Sequence, residues 1–177
     1  MSTFLTTEQE TLADEIASLL IERGETVAVT ESTTGGLISA ALLRVAGASK
    51  YYTGGGVLYT LLSRIALAGV PAEDYADYRG TTPELLGKLA EAMRAKLNAT
   101  WCIGESGLAG PTAGRSGNPP GRTTLAVAGP VTRAEVAETG TTDRDENMTR
   151  FATLALRYLR DAIREAPSAM TGAGSVR

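Results

Sequence analysis

The sequence predicts an α/β fold: a three-layer α/β/α sandwich with a mixed, mostly parallel sheet. Two features predict it. Strand-like runs alternate with helical ones through the first two-thirds of the chain, the pattern of parallel strands joined by crossover helices. Late in the chain, strand-like runs at 123–128 and 133–138 are separated by a Gly129-Pro130 turn, so a hairpin joins the sheet. A length of 177 residues suits one domain with a real core. That domain is assigned to residues 1–165, and the small-residue stretch 166–177 reads as a disordered tail.

Thr7-Glu8-Gln9-Glu10 has the spacing of a capping box. Leu12, Ile16, Leu19 and Leu20 then give a helix one apolar face, and Gly24 stops it. Val27 and Val29 alternate with smaller residues as a strand, and Leu37, Ala40, Ala41 and Val45 recur at helical spacing. Between strand and helix stands ESTTGG, residues 31–36. Such a junction exposes the N–H groups of the first helical turn, which favour an anion or a developing oxyanion. Gly35 and Gly36 let a ligand approach the backbone, and Ser32, Thr33 and Thr34 bring hydroxyls to the same place. A simple helix cap at Ser32 or Thr33 accounts for the same residues.

The run YYTGGGVLYT, 51–60, reads as a strand whose glycines mark a bulge, a bend or the close approach of a ligand. A short helix over 61–67 ends near Gly69, and a polar loop spans 71–80. Thr82-Pro83 opens a helix whose inner face is Leu86, Leu89, Met93 and Leu97; Lys88 and Lys96 fall off that face and are expected in solvent. A strand at 99–104 leads into ESGLAGPTAGRSGNPPGR, 105–122, a loop of the length and composition that marks function. Asp143 opens the last helix, with Met148, Phe151, Ala155, Leu159 and Ile163 inward.

A net charge of −3 argues against nucleic acid as an electrostatic partner. No run of about 18 apolar residues suggests a membrane span. The segment MSTFLTTEQE lacks the basic and apolar parts of a signal peptide, so the protein reads as cytoplasmic. Cys102 is the only cysteine, which excludes an internal disulfide. The chain has no histidine. Ser–His–Asp and Cys–His machinery and a histidine-ligated zinc are therefore excluded, and no metal or cofactor is expected. The only lysines are Lys50, Lys88 and Lys96. A nucleophilic serine must find its base in a short list.

Taken in order, ESTTGG, GASKYYTGGGVLYT, GESGLAGPTAGRSGNPPG and a helix opened by TTDRDE resemble the CinA C-terminal domain family over roughly residues 7 to 160. These are the competence/damage-inducible domains, several of them nicotinamide mononucleotide deamidases. The resemblance implies an α/β/α sandwich with a mixed sheet. It implies a metal-independent serine amidohydrolase of NAD salvage, a nicotinamide-nucleotide amidase that converts the carboxamide to a carboxylate and ammonia. It implies a homo-oligomer that binds a pyridine mononucleotide or a related small anion, with no nucleic-acid or membrane partner.

Residue by residue, the resemblance makes Ser32 the nucleophile, with Thr33 where the family has cysteine. The N–H groups of Thr33, Thr34, Gly35 and Gly36 would hold the oxyanion. The family run YSNEAK falls on Tyr59 to Arg64, so Arg64 replaces the proposed lysine base and Leu61-Leu62 replaces Asn-Glu. TGIAGP falls on SGLAGP, which places Ser106, Gly107 and Gly110 at the site. Arg144 takes the position that would hold the phosphate end, and Met148 replaces a second arginine, with Arg150 nearby. A guanidinium stays protonated and cannot be a general base, although it can orient Ser32 or bind an anion. Glu31 and Glu105 are the carboxylates that could take over the proton. Lys50 reads as an exposed loop charge. A binding or regulatory domain without turnover, and a structural paralogue without a ligand, are the alternatives.

Overall fold

The computed structural model describes residues 4–168. Helix α1 (Thr7–Arg23) is followed by β1 (Val27–Glu31), α2 (Leu37–Arg44) and β2 (Tyr52–Val57). A single turn α3 (Leu61–Ser63) widens into a π-helical turn over Arg64–Ala68. Then come α4 (Pro83–Lys96), β3 (Trp101–Leu108), β4 (Arg122–Ala128), β5 (Arg133–Glu138) and α5 (Arg144–Glu165). The strands form one sheet in the order β2-β1-β3-β4-β5. β1 pairs in parallel with β2 and β3, whereas β3–β4 and β4–β5 are antiparallel. The expected mixed sheet is present, divided evenly between the two kinds of pairing.

Each face of the sheet has its own core. On one side, α1, α2 and α5 bury Leu12, Ile16, Leu20, Ile38, Leu42, Leu156 and Leu159 against Val27, Val29, Trp101 and Ile103. On the other, α4 buries Leu86, Leu89 and Met93 against Ala28, Cys102, Ala126 and Ala128. The small residues on this side of the strands let α4 lie close. Helix α5 explains its own placement: Phe151, Ala155, Leu159 and Ile163 recur on one stripe, all fully buried.

Several boundaries differ from the sequence reading. Thr6 caps α1, and its partner is Gln9, so the capping box lies one residue earlier than expected. Of the glycines of β2, Gly55 lies tight against the neighbouring strand β1. The register slips between Val27 and Ala28, and a Cβ on Gly55 would stand 2.4 Å from the Val29 carbonyl. β3 runs four residues further than predicted, so the loop begins only at residue 109. Leu97 is half-buried, and Met148 is also only half-buried. Lys88 is solvated as expected, in ion pairs with Asp74 at 3.2 Å and Glu84 at 3.7 Å. Ala166, counted with the tail, is buried and its carbonyl accepts from Arg23. Residues 169–177 of that tail lie outside the described residues. No helix among the described residues is long and apolar enough to cross a membrane.

Candidate functional site

The strand order turns about β1. The chain leaves β1 through α2 to reach β2 on one side, then crosses through α4 on the opposite face to reach β3 on the other. A crevice forms at the carboxyl ends of strands where successive connections diverge in this way. Here it opens between β1, which ends at Glu31, and β3, which carries Glu105 and Ser106. The register pairs Thr30 with Gly104, so Ser32 follows the end of β1 beside the stretch of β3 that carries Ser106.

The ESTTGG turn folds around two buried carboxylates. Glu31 Oε2 accepts from Thr34 Oγ1 at 2.7 Å, Gly36 N at 3.0 Å and Ile38 N at 3.1 Å. Its Oε1 accepts from Ser39 N at 3.0 Å and Ser39 Oγ at 2.6 Å. The carboxylate of Glu31 therefore caps α2 itself, across five to eight residues of sequence. Gly36 is the first residue of that cap, at φ 106°, a conformation open to glycine. Ser32 and Thr33 do not cap the helix, and the N-terminus of α2 is not open to a ligand anion. The N–H of Gly36 is spent on Glu31, and that of Gly35 (φ 64°) on the Ser32 carbonyl at 3.3 Å.

Glu105 occupies the same face. Its Oε2 accepts from Ser32 N at 3.2 Å and Thr34 N at 3.1 Å and lies 3.1 Å from Thr34 Oγ1, and its Oε1 accepts from Thr123 Oγ1 at 2.9 Å. Burial pushes this carboxyl above its usual range, and the surrounding N–H and hydroxyl groups oppose that shift without cancelling it. Loss of water outweighs them because the residue is completely enclosed. A carboxyl raised in the folded state is a stability term that is full below its unfolded value and is lost as pH rises through the folded value. The melting temperature of Glu105→Gln should therefore gain on wild type as pH rises above about 4.5, the ordinary value. The amide of that variant keeps an acceptor toward Ser32 and Thr34 and can donate to Thr123, as the neutral acid does. Parallel melting temperatures across pH 4–8 would refute this.

Neither carboxylate reaches the hydroxyl of Ser32. Glu105 meets its backbone N–H, and Ser32 Oγ makes no hydrogen bond among the described residues. Glu31 and Glu105 are thus fixed as anchors of the turn rather than bases. Of the turn's N–H groups at 32–36, only that of Thr33 has no acceptor among the described residues. Thr33 is fastened through its side chain instead, accepting from Gly107 N and donating to Gly107 O, each at 2.8 Å.

Ser106 faces away from Glu105, toward α4, as strand alternation requires. There it meets Arg64, which is 3% exposed. Arg64 donates from Nε to the Leu58 carbonyl at 3.2 Å, from one terminal nitrogen to Thr81 Oγ1 at 3.1 Å, and from the other to Ser106 Oγ at 2.8 Å. Thr81 Oγ1 also lies 2.8 Å from Ser106 Oγ and 2.9 Å from Tyr78 OH, and the Tyr78 ring stands 5.9 Å from the guanidinium. No carboxylate is among the partners of Arg64. In the sequence, Thr81 and Tyr78 are only a threonine and a tyrosine just ahead of the Thr82-Pro83 cap.

Beyond Ser106 lies a cavity of about 200 Å³. Its walls include Tyr78, Thr81 and Ser106, with Arg79, Arg115 and Arg122 around it. Arg122 is paired with Glu138 at 2.9 Å, whereas Arg79 and Arg115 are exposed and join no ion pair among the described residues. Gly107 lines the cavity; on its other side a Cβ would stand 2.8 Å from the Phe151 ring.

Ser32 does not line this cavity and makes no hydrogen bond to the Arg64 cluster among the described residues, and Tyr59, Arg144 and Gly110 do not join either. Tyr59 is 60% exposed and makes no hydrogen bond among the described residues. Arg144 donates to the Gly110 carbonyl at 2.8 Å, so it steadies the loop and does not face the cavity. Gly110 meets backbone, not ligand: a Cβ there would stand 2.6 Å from the Thr142 carbonyl. Asn147, fully buried, completes this brace by donating to the Ala109 and Thr141 carbonyls at 2.8 and 2.9 Å. It was legible only as a polar residue on the apolar stripe of α5.

The chain matches the model of the CinA C-terminal domain over residues 9–163. It is 38% identical over 156 residues to a CinA-like protein of Anaeromyxobacter dehalogenans, covering 88% of this chain and 38% of that protein. It is 39% identical over 123 residues to a CinA-like protein of Prochlorococcus marinus, covering 70% of this chain and 29% of that one. It spans well under half the length of these curated relatives. Among solved structures, the competence/damage-inducible protein CihA of Agrobacterium tumefaciens superposes with a TM-score of 0.83 at 28% identity, over 93% of this chain and 100% of that one. The competence damage-inducible protein A (ComA) of Klebsiella pneumoniae gives 0.83 at 26% identity, over 89% and 98%. By sequence and by fold, the chain belongs to the CinA C-terminal domain family.

Proposed function

We propose that this chain is a nicotinamide-nucleotide amidase by descent, binding a pyridine mononucleotide across the ends of β1 and β3 with turnover reduced to a slow residual rate. One observation carries the reading: Arg64 stands buried at the site with every hydrogen bond a donation, while the Ser32 hydroxyl reaches no proton acceptor. Ser32 would attack the carboxamide carbon, and the unengaged Thr33 N–H would meet the oxyanion. The missing step is removal of the serine proton. The cavity beside Ser106 is smaller than a whole-ligand pocket of about 300–1,000 Å³, so it suits one end of the nucleotide. Arg79 and Arg115 at its rim, rather than Arg144, suit the phosphate. A homo-oligomer in the cytoplasm is part of this reading. Exposed Val57, Tyr59, Leu62 and Leu67, on edge strand β2 and just after it, give a surface suited to self-association.

The test combines binding with ammonia release from nicotinamide mononucleotide. Binding with slow release, reduced further by Ser32→Ala, is expected. Fast release that survives Ser32→Ala would exclude the serine mechanism. Fast release abolished by Ser32→Ala would keep the mechanism and assign the proton to another group.

A further inference from the structure

The Arg64 cluster has an uncommon balance of protons. A buried guanidinium without a carboxylate carries a desolvation cost that neutral oxygens only partly offset. Its partners here are the Leu58 carbonyl and the Thr81 and Ser106 hydroxyls, with the phenol of Tyr75 also close to it. The two carboxylates closest in sequence to the site, Glu31 and Glu105, spend their oxygens on the α2 turn and on Thr123.

The hydroxyls can be counted further. A hydroxyl has one proton and two acceptor lone pairs. Thr81 Oγ1 accepts from Arg64, so it can accept once more and must donate once. Its two other neighbours are Tyr78 OH and Ser106 Oγ. Either Tyr78 donates to Thr81 and Thr81 to Ser106, or the chain runs the other way. In the first case the Ser106 proton is unspent, and in the second the Tyr78 proton is. Both end residues line the cavity. The wall therefore offers one hydroxyl donor with a buried positive charge directly behind it.

We infer that this wall is a receptor for a carboxylate, and that the protein holds the acid form of a pyridine mononucleotide in preference to the amide. The assignment of the ligand as a pyridine nucleotide rests on the function proposed above; the anion-receiving character of the wall does not. β1, which leads to Ser32, and β3, which carries Ser106, are paired neighbours, so a ligand group reaching from Ser32 across to β3 meets this wall. A carboxylate gives that wall two acceptor oxygens and a countercharge. A carboxamide gives one acceptor and turns an NH₂ donor toward a surface that already donates. In this position arginine, where relatives are expected to carry lysine, converts a reacting group into a recognition group with a planar fork and permanent charge.

The experiment is calorimetric titration of the full chain with nicotinic acid mononucleotide and with nicotinamide mononucleotide, with the Ser106 amide followed by NMR. The acid should bind at least about tenfold more tightly, the scale of one charge-assisted hydrogen bond. The preference should collapse in Arg64→Met and shrink in Thr81→Val, which breaks the hydroxyl chain but leaves the guanidinium. Thr81→Val keeps the test informative if Arg64→Met does not fold. Equal affinities, or tighter binding of the amide, would overturn the inference and leave the nucleotide reading standing. If neither nucleotide binds, the nucleotide reading fails. Nicotinate and inorganic phosphate then decide the wall. A Ser106 shift with nicotinate alone supports a carboxylate receptor; a shift with phosphate alone, or with neither, overturns it.

Discussion

Arg64→Lys combined with Leu61→Asn and Leu62→Glu is expected to raise ammonia release from nicotinamide mononucleotide about 10²-fold over wild type, the lower end of what a general base contributes. A buried amine can lose its proton at neutral pH because desolvation disfavours the charged form; a guanidinium cannot. The new ammonium would stand where Arg64 now stands, among Leu58 O, Thr81 and Ser106. Leu62 is 74% exposed, so the glutamate there costs little. Leu61 is half-buried against the α4-side core, and its change carries the larger stability cost. Arg64→Lys alone should give a smaller gain, because Leu61 and Leu62 still stand where polar residues are expected beside the lysine. The gain must vanish when Ser32→Ala is added. A triple variant no faster than wild type, with an unchanged melting profile, would show that arginine at position 64 is not what limits ammonia release.

The second large effect is on stability. Glu31→Ala should cost about 3 kcal/mol or more, because buried donors left without acceptors cost about 1–3 kcal/mol each. The N–H groups of Gly36, Ile38 and Ser39 would all lose their acceptor at once. For a domain of this size that is a fall of roughly 6–12 °C in Tm. Glu31→Gln should lose much less. Its one oxygen can keep Thr34, Gly36 and Ile38, and its NH₂ can donate to Ser39 Oγ while opposing Ser39 N. Thermal melts with hydrogen exchange at Ile38 and Ser39 separate the two outcomes. An Ala variant melting within about 2 °C of wild type would mean that water replaces the carboxylate and that the turn does not depend on it.

Much of the frame was legible in the chain because it rests on short-range rules. The switch of hydrophobic period across ESTTGG placed Ser32 between a strand and a helix, and the structure has it there. Gly24, Thr82-Pro83 and Asp143 marked helix ends whose caps form as local chemistry requires. The hairpin at residues 122–138 followed from its Gly-Pro turn. The pairing of Arg64 with Ser106 was within reach only through the resemblance, since 42 residues separate them. Tertiary packing alone decided where the charges went. Glu31 and Glu105 looked like spare bases, but strand alternation turned both to the α2 side, where free N–H groups claim them. Arg144 looked like a phosphate ligand, but the fold brought the Gly110 carbonyl to it first. A sequence lists donors and acceptors; which of them meet depends on the register of β1 against β3 and on the two faces their side chains take. That arrangement left the Ser32 hydroxyl without a hydrogen-bond partner among the described residues and set Ser106 against Arg64.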